Sequence, residues 1–318
     1  MIKEDRKMTR VVLIVAYFGN FPPYARWFFK SIELNETIDF LIITDQDDLP
    51  AIGNVHYLKM SFDEFRKNVQ SYFDFTITMS SPYKIVDYKP AFGYIFEDFI
   101  QSYDFWGNID VDVIFGNLRH FLTEEVFQSY DKINELGHLT LYRNTKTNNR
   151  YFMSKVGMPF TEVFTTNIIR VFDERIGMQA KFDLLGVPSF LIPEFIDVDP
   201  FSFKLKGIGI KNYPHQVFLF RGGKVFQVYV ENGNIHSNEF MYVHFQKRNV
   251  EPIPYTGGVT SSQINVVLTQ NGFKYPDTIT ADFVIKNSSS SIIKEQTLRA
   301  KKAMYIWSRR FKKYILKK

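Results

Sequence analysis

The run Val11-Val-Leu-Ile-Val-Ala-Tyr-Phe, closed by Gly19, constrains the fold more than any other feature of the chain. It is continuously apolar and rich in β-branched residues, with no alternation that would leave one face to water. Such a run reads as a strand covered on both faces, the setting of a parallel sheet. Asn20-Phe-Pro-Pro-Tyr then puts two prolines at the entrance of a helical stretch, Tyr24 to Ile32, and Asp39-Phe-Leu-Ile-Ile-Thr-Asp45 supplies a second strand of the same type. Strand, helix and strand in this order make a βαβ unit. Its right-handed crossover opens both strand C-terminal ends, near Tyr17 to Gly19 and near Thr44 to Asp48, on one edge of the sheet. In open α/β sheets that edge is where ligands bind.

Further elements follow the same logic. A short strand is expected near Val55 to Met60, and Ser61-Phe-Asp-Glu64 has the form of a capping box. Lys89-Pro90 opens a helix expected to reach Ile100, with residues 92, 95, 96 and 99 on one apolar stripe. Strands are expected at Phe105 to Ile109, Leu139 to Arg143 and Ser189 to Ile192. A β-rich zone runs through Gln216 to Val230 and Phe240 to Phe245, with Arg221-Gly-Gly-Lys and Glu231-Asn-Gly-Asn as hairpin turns. The class is α/β. Aromatic residues make up 17% of the chain, 33 of them Phe, and Phe content of this kind reads first as core filling.

Charge divides the chain. The formal balance is +5, yet Lys294 to Lys318 holds ten Lys or Arg and one Glu, a net of +9, which leaves −4 on the rest. Basicity confined to a tail argues against a nucleic-acid-binding surface spread over the fold. There is no cysteine, so a metal would sit on carboxylate, imidazole or carbonyl oxygen. The apolar run after the charged N-terminus is too short to span a bilayer, and a cytosolic, unexported protein is expected.

Asp110-Val-Asp112 is the most informative chemical feature. Two carboxylates one residue apart project to the same side of an extended segment, and a hard divalent cation such as Mg²⁺ or Mn²⁺ takes ligands of this kind while leaving places for phosphate and water. Asp-X-Asp alone is weak: Asp197-Val-Asp199 has the same form and reads as an ordinary occurrence. Context strengthens the first pair, because an apolar strand ending in two acids is costly unless something positive lies between them. His244, on the alternating run Phe240-Met-Tyr-Val-His-Phe, is open to two readings, a hydrogen-bonded core histidine or a metal ligand. Lys247 and Arg248, where that strand gives way to a loop, suit the neutralisation of phosphate charge.

These segments in order (the strand, loop and helix from Tyr17, Lys89-Pro with its aromatic helix, Tyr103-Asp-Phe-Trp-Gly-Asn-Ile-Asp-Val-Asp-Val-Ile-Phe-Gly, Tyr142-Arg-Asn, Phe172-Asp-Glu and Val243-His-Phe-Gln-Lys) resemble a family of bacterial polysaccharide-biosynthesis glycosyltransferases found among capsule and O-antigen assembly enzymes. The resemblance covers roughly residues 11–248. It implies the GT-A fold, a Rossmann-like mixed central sheet flanked by helices, and a nucleotide-sugar donor, most simply a UDP-hexose of galactose type, held by Mn²⁺ or Mg²⁺. Asp110, Asp112 and His244 would hold the metal, with Asp110 also contacting the donor, and Lys247 would meet the diphosphate. Ala16, Tyr17, Phe18 and Asp45 would hold uracil and ribose. Lys89 would reach the donor, or is simply a lysine beside a helix start. In an inverting enzyme Asp173, with Glu174 second, would be the general base; both also read as helix N-terminal acids that complement the macrodipole. Two other classes stay open, a metal-dependent nucleotidyltransferase or phosphohydrolase and a non-enzymatic membrane-tethered binding module.

The expected organisation is a catalytic domain over residues 1–286, a serine-rich linker over 287–292 and a basic amphipathic helix over 293–318. Projected at helical spacing, Ala300, Ala303, Met304, Trp307, Phe311, Tyr314 and Ile315 share one face, and Lys301, Lys302, Arg309, Arg310, Lys312 and Lys313 the other. This is the pattern of an interfacial helix on anionic lipid. The expected setting is therefore the inner face of a bacterial plasma membrane, with a lipid-linked oligosaccharide as acceptor.

Overall fold

The computed structural model describes residues 8–246, 264–289 and 291–315, with side chains in the last helix up to residue 307. The chain divides into two compact units, Met1–Val111 with Leu118–Ile192, and Asp112–Asn117 with Pro193–Lys318.

The first unit is built on one mixed sheet. Its first strands are β1 (Val11–Tyr17), β2 (Asp39–Thr44), β3 (Val55–Lys59) and β4 (Phe105–Ile109); β5 (Val113–Phe115) belongs to the second unit, and β6 (Lys132–Leu136), β7 (Leu139–Arg143) and β8 (Ser189–Phe190) complete the first. The order is β3-β2-β1-β4-β7-β6-β8. From β3 to β4 the neighbours run parallel, whereas β7 runs antiparallel to β4 and β6. The unbroken apolar run of β1 explains its central place. Val12 and Ile14 enter one core with Leu41 and Ile43, while Val11, Leu13 and Val15 are equally buried on the opposite face.

Helices cover the sheet. α1 (Ala25–Glu33) buries Trp27, Phe28 and Ile32, and α2 (Phe62–Gln70) places Phe65 and Val69 in the core of Val12 and Ile14. The capping box of Ser61 and Glu64 is formed as expected. Much of the aromatic content is core filling: Phe73, Phe152, Phe160 and Phe164 meet one another with ring centroids 5.3–6.3 Å apart.

The helix after Lys89 is not continuous but a 3₁₀ turn, Lys89–Ala91, then Phe92–Ile95 and Glu97–Ile100, broken at Phe96. Phe96 leaves helical geometry at φ −106°, ψ 26°, and the buried face changes register behind it. Phe92, Ile95 and Phe96 are buried as expected, but Ile100 replaces Phe99, which is 52% exposed.

The second unit holds two sheets. β9 (Ile196–Val198), β10 (Gly207–Ile208), β11 (Gln216–Arg221), β12 (Lys224–Glu231), β13 (Asn234–Phe240), β14 (Tyr242–His244), β15 (Val266–Thr269) and β16 (Gly272–Lys274) assort as β10-β9-β14-β5 and β13-β12-β11-β15-β16. The anticipated hairpins are present, the second turning on Asn232 and Gly233 at φ 51° and 77°, which Asn and Gly tolerate best. The strand expected over Phe240 to Phe245 is two, interrupted at Met241, so Phe240 ends in one sheet and His244 in the other.

The C-terminal helix (Ile292–Ile315) is attached to this unit near its start, where Glu295 accepts a hydrogen bond from the Phe203 N–H at 2.8 Å, and again where Tyr305 meets Phe201 at a ring separation of 5.5 Å. Asn287 and Ser288, which open the segment read from sequence as a linker, are buried, and the Ser288 hydroxyl donates to the Val284 carbonyl at 2.7 Å. Among the described residues no helix is long and apolar enough to cross a membrane.

Candidate functional site

The sheet topology of the first unit selects an edge. From β1 the chain turns to β2 and β3 on one side and later enters β4 on the other, all parallel, with Ile14 opposite Asn108 and Tyr17 opposite Thr44. The C-terminal ends of β1 and β4 therefore flank a topological switch point, where open α/β sheets form a ligand crevice. Ala16 and Tyr17, both half-buried, end β1. Asp45 follows β2, and its Oδ1 accepts from the Gly19 N–H at 3.0 Å and from Gln46 Nε2 at 2.9 Å. Slight burial pushes the Asp45 carboxyl up, but these hydrogen bonds outweigh it and hold the pKa below its ordinary value. Phe18 turns inward and packs on Phe62 and Phe65, so its side chain belongs to the core.

Asp110 follows β4 on the same edge. Its Oδ1 lies 2.5 Å from Lys89 Nζ, which also donates to the Gly137 carbonyl at 2.9 Å and stands 3.5 Å from Asp173 Oδ2. Lys89 is only 5% exposed, and it holds together the first Asp of the Asp-X-Asp pair and the acid expected to act as base. Asp173 is 3% exposed. Burial pushes its carboxyl up to about 7 against the opposing pull of Lys89, with Glu174 and Asp110 adding to the rise. Gly137 is required for this approach, because a Cβ there would fall 2.0 Å from Asp173 Oδ2.

A second buried pair shapes the segment before Asp173. Lys84 Nζ lies 2.6 Å from Asp87 Oδ2, and the Asp87 carboxylate accepts from the N–H groups of Arg170 and Phe172 at 2.9 Å each. Between them Val171 is held at φ 55°, a left-handed conformation that a β-branched residue adopts only under constraint. Asp173 and Glu174 precede the helical segment starting at Arg175. Asp173 is turned to Lys89 and Gly137, and Glu174 is half-buried.

In the second unit, strand register builds a row of polar side chains across a sheet. β14 lies between β5 and β9, pairing His244 with Val113 on one side and with Asp197 on the other. Asp112, just before β5, has Oδ1 3.4 Å from His244 Nε2, and Asp197 Oδ1 lies 2.9 Å from His244 Nδ1. A carboxylate oxygen and an imidazole nitrogen at this separation suit a single divalent cation, and Asp110 lies two residues before Asp112 in the chain. The donor set fits Mn²⁺ or Mg²⁺. Lys247 and Arg248 lie outside the described residues.

Sequence reasoning passed over Asp197, Asp87 and Lys84. Asp197 did carry a signal, a polar residue between the buried Ile196 and Val198 on a short strand, but its partner is 47 residues away. Lys84 and Asp87 are three residues apart, and nothing local shows that both are buried.

The first unit is thus an α/β body whose central sheet edge ends in Asp110, and in the second unit a histidine stands beside Asp112. The model of DUF6625, a family of unknown function, matches residues 13–275, and the chain belongs to that family. No curated protein matches it. Among solved structures it is similar to the apo form of the glycosyltransferase GlyE of Streptococcus pneumoniae TIGR4, at 15% identity over 62% of this chain and 47% of that one, with a TM-score of 0.33. It is also similar to the galactosyltransferase LgtC in complex with donor and acceptor sugar analogs, at 10% identity over 59% of this chain and 76% of that one, with a TM-score of 0.34. The chain spans about half the length of the GlyE structure.

Proposed function

We propose that this protein is a metal-dependent glycosyltransferase of GT-A type that moves a hexose from a nucleotide sugar, a UDP-sugar in the simplest case, to a hydroxyl of a lipid-linked glycan in bacterial surface polysaccharide synthesis. The observation that carries the reading is the pair Asp110 and Asp112, delivered by a buried parallel strand at a topological switch point, with His244 Nε2 3.4 Å from Asp112 Oδ1. Asp112 and His244 would hold the cation, with Asp110 two residues before Asp112 in the chain. When bound, the cation neutralises charge on the donor diphosphate. Ala16, Tyr17 and Asp45 border the same sheet edge and would seat the nucleoside. Lys89 fixes the direction of the Asp110 carboxylate rather than reaching outward.

For an inverting reaction the base must be unprotonated at working pH and able to take the acceptor proton. Asp173, pushed up to about 7, has the basicity for that step, and Glu174 is the second choice. Attachment to the inner face of the plasma membrane is assigned to the C-terminal helix, whose Met304 and Trp307 are 63% and 67% exposed beside Lys301 and Lys302. The test is a panel of nucleotide sugars with Mn²⁺ or with chelator, read as release of free nucleotide. Metal-dependent release from one donor, lost in Asp112→Ala, is expected; absence of binding to every nucleotide sugar would remove the proposal. Metal-dependent release of a sugar phosphate or pyrophosphate instead would identify a phosphohydrolase or nucleotidyltransferase.

A further inference from the structure

We propose that Asp197 is a positioning residue that holds the His244 ring in the tautomer with the proton on Nδ1, so that Nε2 presents its lone pair toward Asp112. The inference rests on the metal reading for its purpose but not for its geometry. β9 and β14 are parallel neighbours in which Asp197 and His244 occupy paired positions, so their side chains leave the sheet on one face. The Asp197 Oδ1 to His244 Nδ1 distance is 2.9 Å, and His244 is 9% exposed. A carboxylate accepts and does not donate, so the ring nitrogen facing it carries the hydrogen. Asp112 Oδ1 also faces the ring but from 3.4 Å, so in a neutral imidazole, which has one N–H, the nearer carboxylate of Asp197 keeps the hydrogen on Nδ1 and Nε2 is turned toward Asp112 as the ligand atom.

A second contact holds the carboxylate itself. Gln246 Nε2 donates to the same Asp197 Oδ1 at 2.5 Å, and Gln246 stands at φ 48°, a left-handed conformation uncommon for its residue type. That backbone turn accompanies the return of the Gln246 amide to Asp197, two residues beyond the histidine the carboxylate serves. Carboxylate, imidazole and metal in series is a recurrent way to fix a ligand ring and raise its basicity, and loss of the outer carboxylate costs about 10–100-fold in metal affinity.

The experiment uses the full-length chain with ¹⁵N-labelled histidine, the His244 signals being those absent from His244→Gln. In metal-free wild type, at a pH high enough for the ring to be neutral, ring shifts of the Nδ1–H tautomer are expected. In Asp197→Asn, whose amide can donate to Nδ1, the Nε2–H form is expected, and Mn²⁺ affinity measured by electron paramagnetic resonance should fall about 10–100-fold. Gln246→Ala retains the carboxylate, protects against a folding artefact, and should shift both readouts in the same direction by a smaller amount. Unchanged ring shifts in Asp197→Asn would overturn the inference. Should wild type fail to bind Mn²⁺, the metal reading falls while the tautomer readout still decides the role of Asp197.

Discussion

Lys89 Nζ lies 2.5 Å from Asp110 Oδ1, which ties the residue opening the short helices after the βαβ unit to the residue that follows the fourth strand. Because the same ammonium stands 3.5 Å from Asp173, one buried cation keeps two acids of the candidate site in register. Removing it leaves the half-buried Asp110 carboxylate without its buried partner and takes away the cation that opposes the rise in the Asp173 pKa. Lys89→Met is therefore expected to lower the unfolding free energy by about 3 kcal/mol or more, read by urea denaturation. A loss below about 1 kcal/mol would show that the pair behaves like an exposed one.

The Asp87 carboxylate has two tasks, pairing with Lys84 and holding the Arg170 and Phe172 N–H groups around the left-handed Val171. Asp87→Ala should cost about 3–5 kcal/mol, since it strands a buried ammonium and frees a strained turn. Hydrogen exchange at Arg170 and Phe172 should accelerate more than exchange in the central strands. Equal protection of those two amides in variant and wild type would contradict the clamp.

Asp173 gives a pH dependence of definite sign. Its folded pKa, about 7, lies above the ordinary 3.8, so between those values the folded protein retains a proton that the unfolded chain has released. The stability this group contributes is complete below about 3.8 and is lost as pH rises toward 7. Asp173→Asn should remove that slope, worth on the order of 1 kcal/mol per pH unit inside the window. Urea unfolding of both proteins near the two ends of the window checks it, and parallel curves would argue that Asp173 is ionised throughout. If Asp173 is also the base, donor turnover in wild type should rise through about pH 7, and the variant should lack that inflection.

Lys132 works in the opposite direction on the alkaline side. Burial lowers its pKa to about 7 from the ordinary 10.5, and its Nζ donates to Gln179 Oε1 at 2.6 Å. Its contribution is fully present above about 10.5 and is lost as pH falls through about 7. Lys132→Met is expected to flatten stability across that range and to leave nucleotide-sugar binding unchanged. Calorimetric unfolding at several pH values would show whether the slope disappears.

For the tail, truncation before Ser291 spares the buried Asn287 and Ser288, which a cut at residue 288 would not. The truncated protein should retain donor hydrolysis and lose cosedimentation with anionic vesicles. Undiminished sedimentation would place membrane contact elsewhere or dismiss it.

Some of this architecture was readable locally. The doubly buried β1 and β2, the Ser61 capping box and the two hairpin turns each follow from a few adjacent residues, because periodicity, capping and turn chemistry act over a handful of positions. The break at Phe96 was not readable, since the apolar spacing before and after it satisfies one continuous helix. Asp110 and Asp112 stood out because acids after a buried strand are unusual, but identical spacing at Asp197 and Asp199 carried no such context.

The chain's own sequence thus determined the βαβ start, the edge on which its strands end and the basic character of its last helix, all of which depend on near neighbours. Tertiary structure alone decided that Lys89 faces Asp110 and Asp173, and that His244 stands between Asp112 and Asp197. Those pairs join residues 21 (Lys89 and Asp110), 47 (Asp197 and His244), 84 (Lys89 and Asp173) and 132 (Asp112 and His244) positions apart, separations that no local preference encodes. A shift of one residue between β9 and β14 would turn Asp197 and His244 to opposite faces of their sheet.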